Sequence, residues 1–366
     1  MKQGRTLSEL AAEIERQAST KRDFKAPTDK VNVVVQHRDD KNNIPSDVKL
    51  SMATNGHVEE FGITKLAHEQ IAGHVGIPQK YYDRMRAEAP ALLAQNANHW
   101  LRTNPQTRLV RTLDGKARAF LSNRYRTIDN FEVAEAILPV LLEKGTGLRV
   151  ESCEVTETRL YIKVVDPSLE AAITGTHRVG EMVQAGISIS NSEVGLHAFR
   201  VDPLIFFLAC LNGARIPAEG MRKYHVGRQT ADADSAYEVF ADDTRKADDR
   251  VLMLKMRDIV KAAFDEVKFR QLVGRVKATV DHKITRDPDE VIEGVLELYA
   301  LPQSMKPGLL TELIKGGELS QFGLSNAVTA LANTTKDYDE ATTLEGVGGE
   351  ILTLEGKHWR HLAEAV

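Results

Sequence analysis

Cysteine is scarce in this chain of 366 residues: Cys153 and Cys210 are the whole complement. Two thiols cannot build a disulfide framework or a four-thiolate zinc site, and they suit a reducing, cytoplasmic setting. Long apolar runs are missing as well. The longest, Pro203 to Leu211, is far shorter than the about 18 residues a transmembrane helix needs, so no membrane association is expected. The opening Met-Lys-Gln-Gly-Arg leads straight into a polar helical pattern and does not read as a secretory signal. An excess of one charge is also lacking. The chain carries 48 basic and 52 acidic residues, a net charge of −4. Coating of nucleic acid by gross charge is thereby excluded, and any such role must come from a local patch.

Catalytic and cofactor motifs are missing too. There is no Cys-x-x-Cys, no His-Glu-x-x-His, no Walker-type run and no Gly-x-Gly-x-x-Gly after a strand. His358 and His361 can share a helix face but have no third ligand, and His68 and His74 fall on different faces. No set of clustered carboxylates suits a nuclease metal. The expectation is a non-enzymatic protein with no metal and no cofactor.

What is present is a folding pattern. The hydrophobic fraction of 42% and the charged fraction of 27% are ordinary for a folded protein, and the length suggests about two domains. Thr6 and Glu9 fit a capping box that opens a helix over 7–18. Residues 19–30 read as a polar loop and 31–36 as a strand. Lys49 to Met52 and Val58 to Phe61 pair across Asn55-Gly56. Thr64 caps a helix that stops at Gly76, Pro78 starts another to Met85, and a third runs from Pro90 to Leu101.

Strands at 108–113 and 116–121 flank the turn Asp114-Gly115, and a helix follows from Phe131 to Leu142. Further strands are expected at 148–155, 159–165, 181–190 and 196–211. A long helix starts near Lys246 with Leu252, Met256, Ile259, Ala263 and Val267 on one face. Shorter helices follow at 288–299, 306–314, 322–333 and the C-terminus. The fold class is α+β: a central, mostly antiparallel sheet with inserted helices, followed by a helical C-terminal region. Its parts are an N-terminal helix with short strands (1–62), an α+β core (63–213), a polar connector (214–245) and the helical region (246–366).

The Asp114-Gly115 hairpin carries the clearest chemical signal. From Arg102 to Arg126 there are seven basic residues and one acid, Asp114. A two-residue turn sets Leu113 opposite Lys116, Arg111 opposite Arg118 and Leu109 opposite Phe120. Facing arginines repel, so an anion or carboxylates from elsewhere in the fold must offset them. Arg108, Arg111, Lys116, Arg118, Arg124 and Arg126 suit a phosphate backbone, and Tyr125 suits base stacking. The plain alternative is a solvated strand face. A second group, Arg200, Arg222, Lys223 and His225, extends the groove if it folds beside the hairpin. Cys210 ends an apolar strand and reads as a buried small hydrophobe, with nothing to position His225 on it.

Several blocks resemble the phage- and plasmid-borne family catalogued as domain of unknown function 932. They are Gly76-Ile-Pro-Gln-Lys-Tyr-Tyr, Asp114-Gly with Arg118-Ala-Phe-Leu-Ser-Asn-Arg-Tyr-Arg-Thr-Ile-Asp-Asn, Asn191-Ser, Cys210-Leu-Asn-Gly, His225-Val-Gly and Gly323-Leu-Ser-Asn-Ala-Val-Thr. The resemblance implies a mobile-element origin and action on replicating or recombining DNA. The sheet with a basic hairpin is also similar to single-strand annealing proteins of the Rad-fifty-two-like kind. The leading expectation is a DNA-binding homo-oligomer that holds single strands and promotes annealing. The alternative is a module whose acidic C-terminal helices, with five basic and nine acidic residues over 301–366, engage a host defence or replication protein.

Overall fold

The computed structural model describes residues 1–37, 46–54, 56–125, 127–143, 147–176, 181–197, 199–217 and 242–364. It is α+β, with mixed and antiparallel sheets followed by a C-terminal helical region. The chain divides into two compact units. One comprises 12–127 and 192–196, the other 1–11, 128–191 and 197–366.

Helix α1 (Leu7–Thr20) opens with the expected capping box: Thr6 Oγ1 accepts from the Glu9 amide, and Glu9 Oε2 accepts from the Thr6 amide. The first unit holds strands β1 (Arg22–Pro27), β2 (Val31–Gln36), β3 (Asp47–Thr54), β4 (His57–Ile63), β5 (Thr107–Leu113) and β6 (Lys116–Ser122). They form a six-stranded sheet in the order β1-β5-β6-β4-β3-β2, with β4 and β6 parallel and the other pairs antiparallel. Between β4 and β5 come α2 (Lys65–Val75), α3 (Gln79–Glu88) and α4 (Pro90–Thr103). Thr64 accepts the Ala67 amide and Gly76 closes α2 at φ 69°, a left-handed conformation that glycine adopts at no steric cost. One core lies between sheet and helices, with Val33, Leu50, Phe61, Val110 and Phe120 against Ile71, Tyr82, Leu93 and Leu101.

The second unit holds β7 (Arg149–Val155), β8 (Leu160–Ile173), β9 (Glu181–Asn191), β10 (Arg200–Phe207) and β11 (Asn212–Arg215) in one antiparallel sheet. Its helices are α5 (Asn130–Leu141), α6 (Asp242–Ala262), α7 (Glu266–Asp281), α8 (Pro288–Leu298), α9 (Lys306–Gly316), α10 (Gln321–Thr334), α11 (Tyr338–Thr353) and α12 (Gly356–Ala363). On one sheet face Ile205, Phe207, Val183 and Ala185 pack with Phe269, Val273 and Phe322. The other face carries a polar row. Ser152, Lys163, Ser188 and Asp202 stand side by side across four strands, all buried. Helix α11 partners two of them: the Tyr338 hydroxyl bonds Ser152, and Thr342 and Glu345 bond Lys163.

Three expectations from the sequence are corrected. The segment read as a loop over 19–30 contains β1, a sheet-edge strand whose half-exposed face hides its alternation. The expected strand 196–211 is broken: β10 ends at Phe207 and the chain turns back through Leu211, at φ 51°, into β11. The long helix breaks after Ala262, so Val267 belongs to α7 and is 65% exposed.

Candidate functional site

The hairpin forms at the residues its sequence marks. Asp114 and Gly115 take φ 51° and 74°, the two successive positive angles that match a tight turn to strand twist. Leu113 pairs with Lys116 as expected. The register then slips. Thr112 pairs with Ala117 and Arg111 with Ala119, which leaves Arg118 as the extra residue of a bulge. Arg111 therefore does not face Arg118, and Leu109 pairs with Leu121 rather than Phe120.

Neither arginine is open to a phosphate backbone. The Arg111 side chain is fully buried, and its Nη2 lies 2.9 Å from Asp23 Oδ2. Its Nε donates to both Asp23 oxygens at 3.0 and 3.2 Å, and Nη1 donates to the Glu193 carbonyl at 2.8 Å. Arg118 is 5% exposed, with Nη2 at 2.6 Å from Glu193 Oε2. Carboxylates from elsewhere in the fold offset the two charges, Asp23 from β1 and Glu193 from the 192–196 strap. The strap is well seated: Val194 packs with Leu109, Ala119, Leu121, Leu66 and Tyr125, and Gln70 donates to its carbonyl at 2.8 Å. Tyr125 sits in the same cluster, half-buried, and its hydroxyl donates to the Ser192 carbonyl at 3.2 Å. Its ring thus packs on protein.

The remaining cations lie at the two ends of the hairpin. Lys116 is exposed at the turn. Beside it Arg16 grips Asp114 through two bonds of 2.8 and 3.0 Å and holds that carboxyl below the usual carboxylate range. At the far end Arg108 is half-buried, its guanidinium carbon 5.3 Å from the centre of the Phe120 ring. Among the described residues no carboxylate pairs with it, and its buried Nε has no acceptor. Burial alone lowers its pKa. His74, in the last turn of α2, approaches the same ring, centroid to centroid 5.5 Å. Burial lowers the His74 pKa, and the Arg108 charge lowers it further. Ser122 stands opposite Arg108 in the ladder, and exposed Arg124 follows it with its amide on Ser122 Oγ at 3.3 Å. Nothing in the sequence singles out His74 for this position.

Arg126, Arg222, Lys223 and His225 lie outside the described residues. Arg200 lies in the second unit, where its Nε donates to Asp202 Oδ1 at 2.7 Å. Cys210 sits in the turn after β10 and is half-buried, so the reading of a buried strand end is corrected. Two of the motif blocks meet here. Asn212 Nδ2 donates to Thr329 Oγ1 at 2.7 Å, joining Cys210-Leu-Asn-Gly to the Gly323–Thr329 block. Cys210, Gly323 and Asn326 line a cavity of about 180 Å³ with Glu181, Glu312, Lys315 and Glu318.

His358 and His361 are both exposed on α12, and His68 is buried with Nδ1 at 2.9 Å from the Tyr82 hydroxyl. Among the described residues no three His, Cys, Asp or Glu side chains come together as a metal site, and no helix is long and apolar enough to cross a membrane. The chain matches no protein-family model, no curated protein and no solved structure.

Proposed function

We propose that this protein binds single-stranded DNA along the outer rim of the β5–β6 hairpin. Arg108 and Arg124 neutralise phosphates at one end, and Lys116 contributes at the turn. Arg111 and Arg118 hold the hairpin and its strap together rather than touching the ligand. One observation carries the reading: Arg108 is half-buried over an aromatic ring with no carboxylate beside it among the described residues. A guanidinium withdrawn from water without a counter-charge is a ready partner for an anion brought from outside. The resemblance to the phage- and plasmid-borne family supports a mobile-element origin, and the likeness of the sheet and basic hairpin to single-strand annealing proteins supports a homo-oligomer that promotes annealing. Titration of a labelled oligonucleotide at about 50 mM and about 200 mM salt tests the reading, since each neutralised phosphate releases a counterion. Saturable binding that weakens steeply with salt is expected. A folded sample that does not bind at the lower salt contradicts it.

A second reading, a protein-interaction module, draws on the C-terminal helices. Ile314 and Leu319 are 68% and 45% exposed beside Glu312 and Glu318 of the cavity lining. Glu312 and Glu318 are already paired with Lys315 and Lys283, so an apolar partner segment suits such a surface. Capture of one host protein that survives nuclease treatment, and is lost with Ile314→Asp, favours this reading.

A further inference from the structure

The cations left open on the hairpin do not form a continuous track. Arg108 and Leu113, the partner of Lys116, are five residues apart on β5, about 17 Å at strand rise. The two guanidiniums between those ends are consumed by Asp23 and Glu193. The rim therefore offers its open cations at two separate ends, with a gap between them. The Arg108 end has another character. Its guanidinium and the His74 imidazole approach one ring, Phe120. Ser122 faces Arg108 across the ladder and Arg124 follows two residues on. Both Arg108 and His74 are half-buried.

A planar guanidinium fork matches phosphate oxygens two at a time. A phosphate monoester also carries more charge at neutral pH than an internal diester, about −1.5 to −2. The C-terminal end of α2 and a bound anion would both favour the imidazolium form of His74.

We propose that the Arg108–His74–Phe120 corner seats a terminal phosphate monoester, so that the protein engages strand ends in preference to internal backbone. This rests on the nucleic-acid reading above. The test compares one oligonucleotide in three forms: 5′-phosphorylated, 3′-phosphorylated and bare at both ends. Inorganic phosphate is the fourth probe, read by the NMR titration of the His74 ring, whose charged neighbour is Arg108.

One phosphorylated form should bind about tenfold tighter than the bare one, the worth of a charge-assisted hydrogen bond. Arg108→Gln should abolish the difference and Arg108→Lys should keep part of it, which separates lost charge from lost fold. Exposed Arg124→Ala should reduce it without touching the core. Inorganic phosphate should raise the His74 pKa. Equal affinity for all three forms with an unmoved His74 overturns the proposal, while salt-dependent binding of the bare oligonucleotide would leave the parent reading standing. A His74 response to phosphate without binding of any oligonucleotide overturns the strand-end proposal and the DNA reading together.

Discussion

Glu193 occupies a position where one carboxylate and one carbonyl hold two arginines. Its carboxylate meets Arg118 and its carbonyl meets Arg111, all three side chains being nearly solvent-free. Removing one member of a buried pair leaves a charge in low dielectric. Glu193→Ala is therefore expected to cost about 3–5 kcal/mol in denaturant unfolding, and a loss under 1 kcal/mol would show the pair to be solvated. The same logic applies to Arg111→Glu with Arg118→Glu, which should unfold the first unit rather than report on DNA binding. His68 makes a prediction about pH. Burial, its largest cause, depresses its pKa from 6.5 to about 4. The unfolded chain takes up this proton below pH 6.5 while the folded one resists, so stability is full above about 6.5 and falls as pH drops toward 4. The shift corresponds to about 3 kcal/mol. His68→Gln, which can still bond Tyr82, should flatten this limb of the stability profile; an unchanged limb assigns it to other groups.

Helices α10 and α11 are built on close approach. A Cβ on Gly349 would stand 2.0 Å from the Arg215 carbonyl oxygen of β11, and one on Gly323 would stand 1.7 Å from that of Glu318. Backbone cannot yield as a side-chain tip does, so Gly349→Ala should destabilise by about 1–3 kcal/mol or more. Gly274, in α7, meets nothing within 4 Å, and Gly274→Ala should stabilise by about 0.5–1 kcal/mol through helix propensity. Thermal unfolding of the two variants checks the contrast, and equal shifts would refute it. At this scale the caps and turns were legible before the structure. Thr64, Gly76, Pro90 and Asp114-Gly115 act through local stereochemistry, which sequence reports directly. The bulge at Arg118 was not, because one extra residue in a ladder leaves no trace in composition. Strand β1 was not, because its half-exposed face offers only Phe24 and Ala26 to the core. The second face of helix α11 was not: beside its apolar stripe of Ala341, Leu344, Val347 and Ile351, it turns Tyr338, Thr342 and Glu345 to a polar sheet row centred on Lys163, a pairing that periodicity does not report.

Across the whole molecule, the two units are discontinuous in the chain, with residues 192–196 grouped away from the strands on either side. No composition shift along a sequence can mark such a boundary, since it arises from long-range pairing. Of the basic residues that made the hairpin conspicuous, Arg118 is paired with Glu193 of the strap, and Arg111 with Asp23 of β1 and the Glu193 carbonyl. What remains for a ligand is the rim, with Arg108 and Arg124 at one end. The most direct test is the affinity of a labelled single-stranded oligonucleotide for the parent and for Arg108→Ala with Arg124→Ala, each at several salt concentrations. The account predicts at least tenfold weaker binding for the variant and a salt slope shallower by about 1 to 2, with unfolding behaviour close to the parent's. Equal affinity and an equal slope in a folded variant would contradict it.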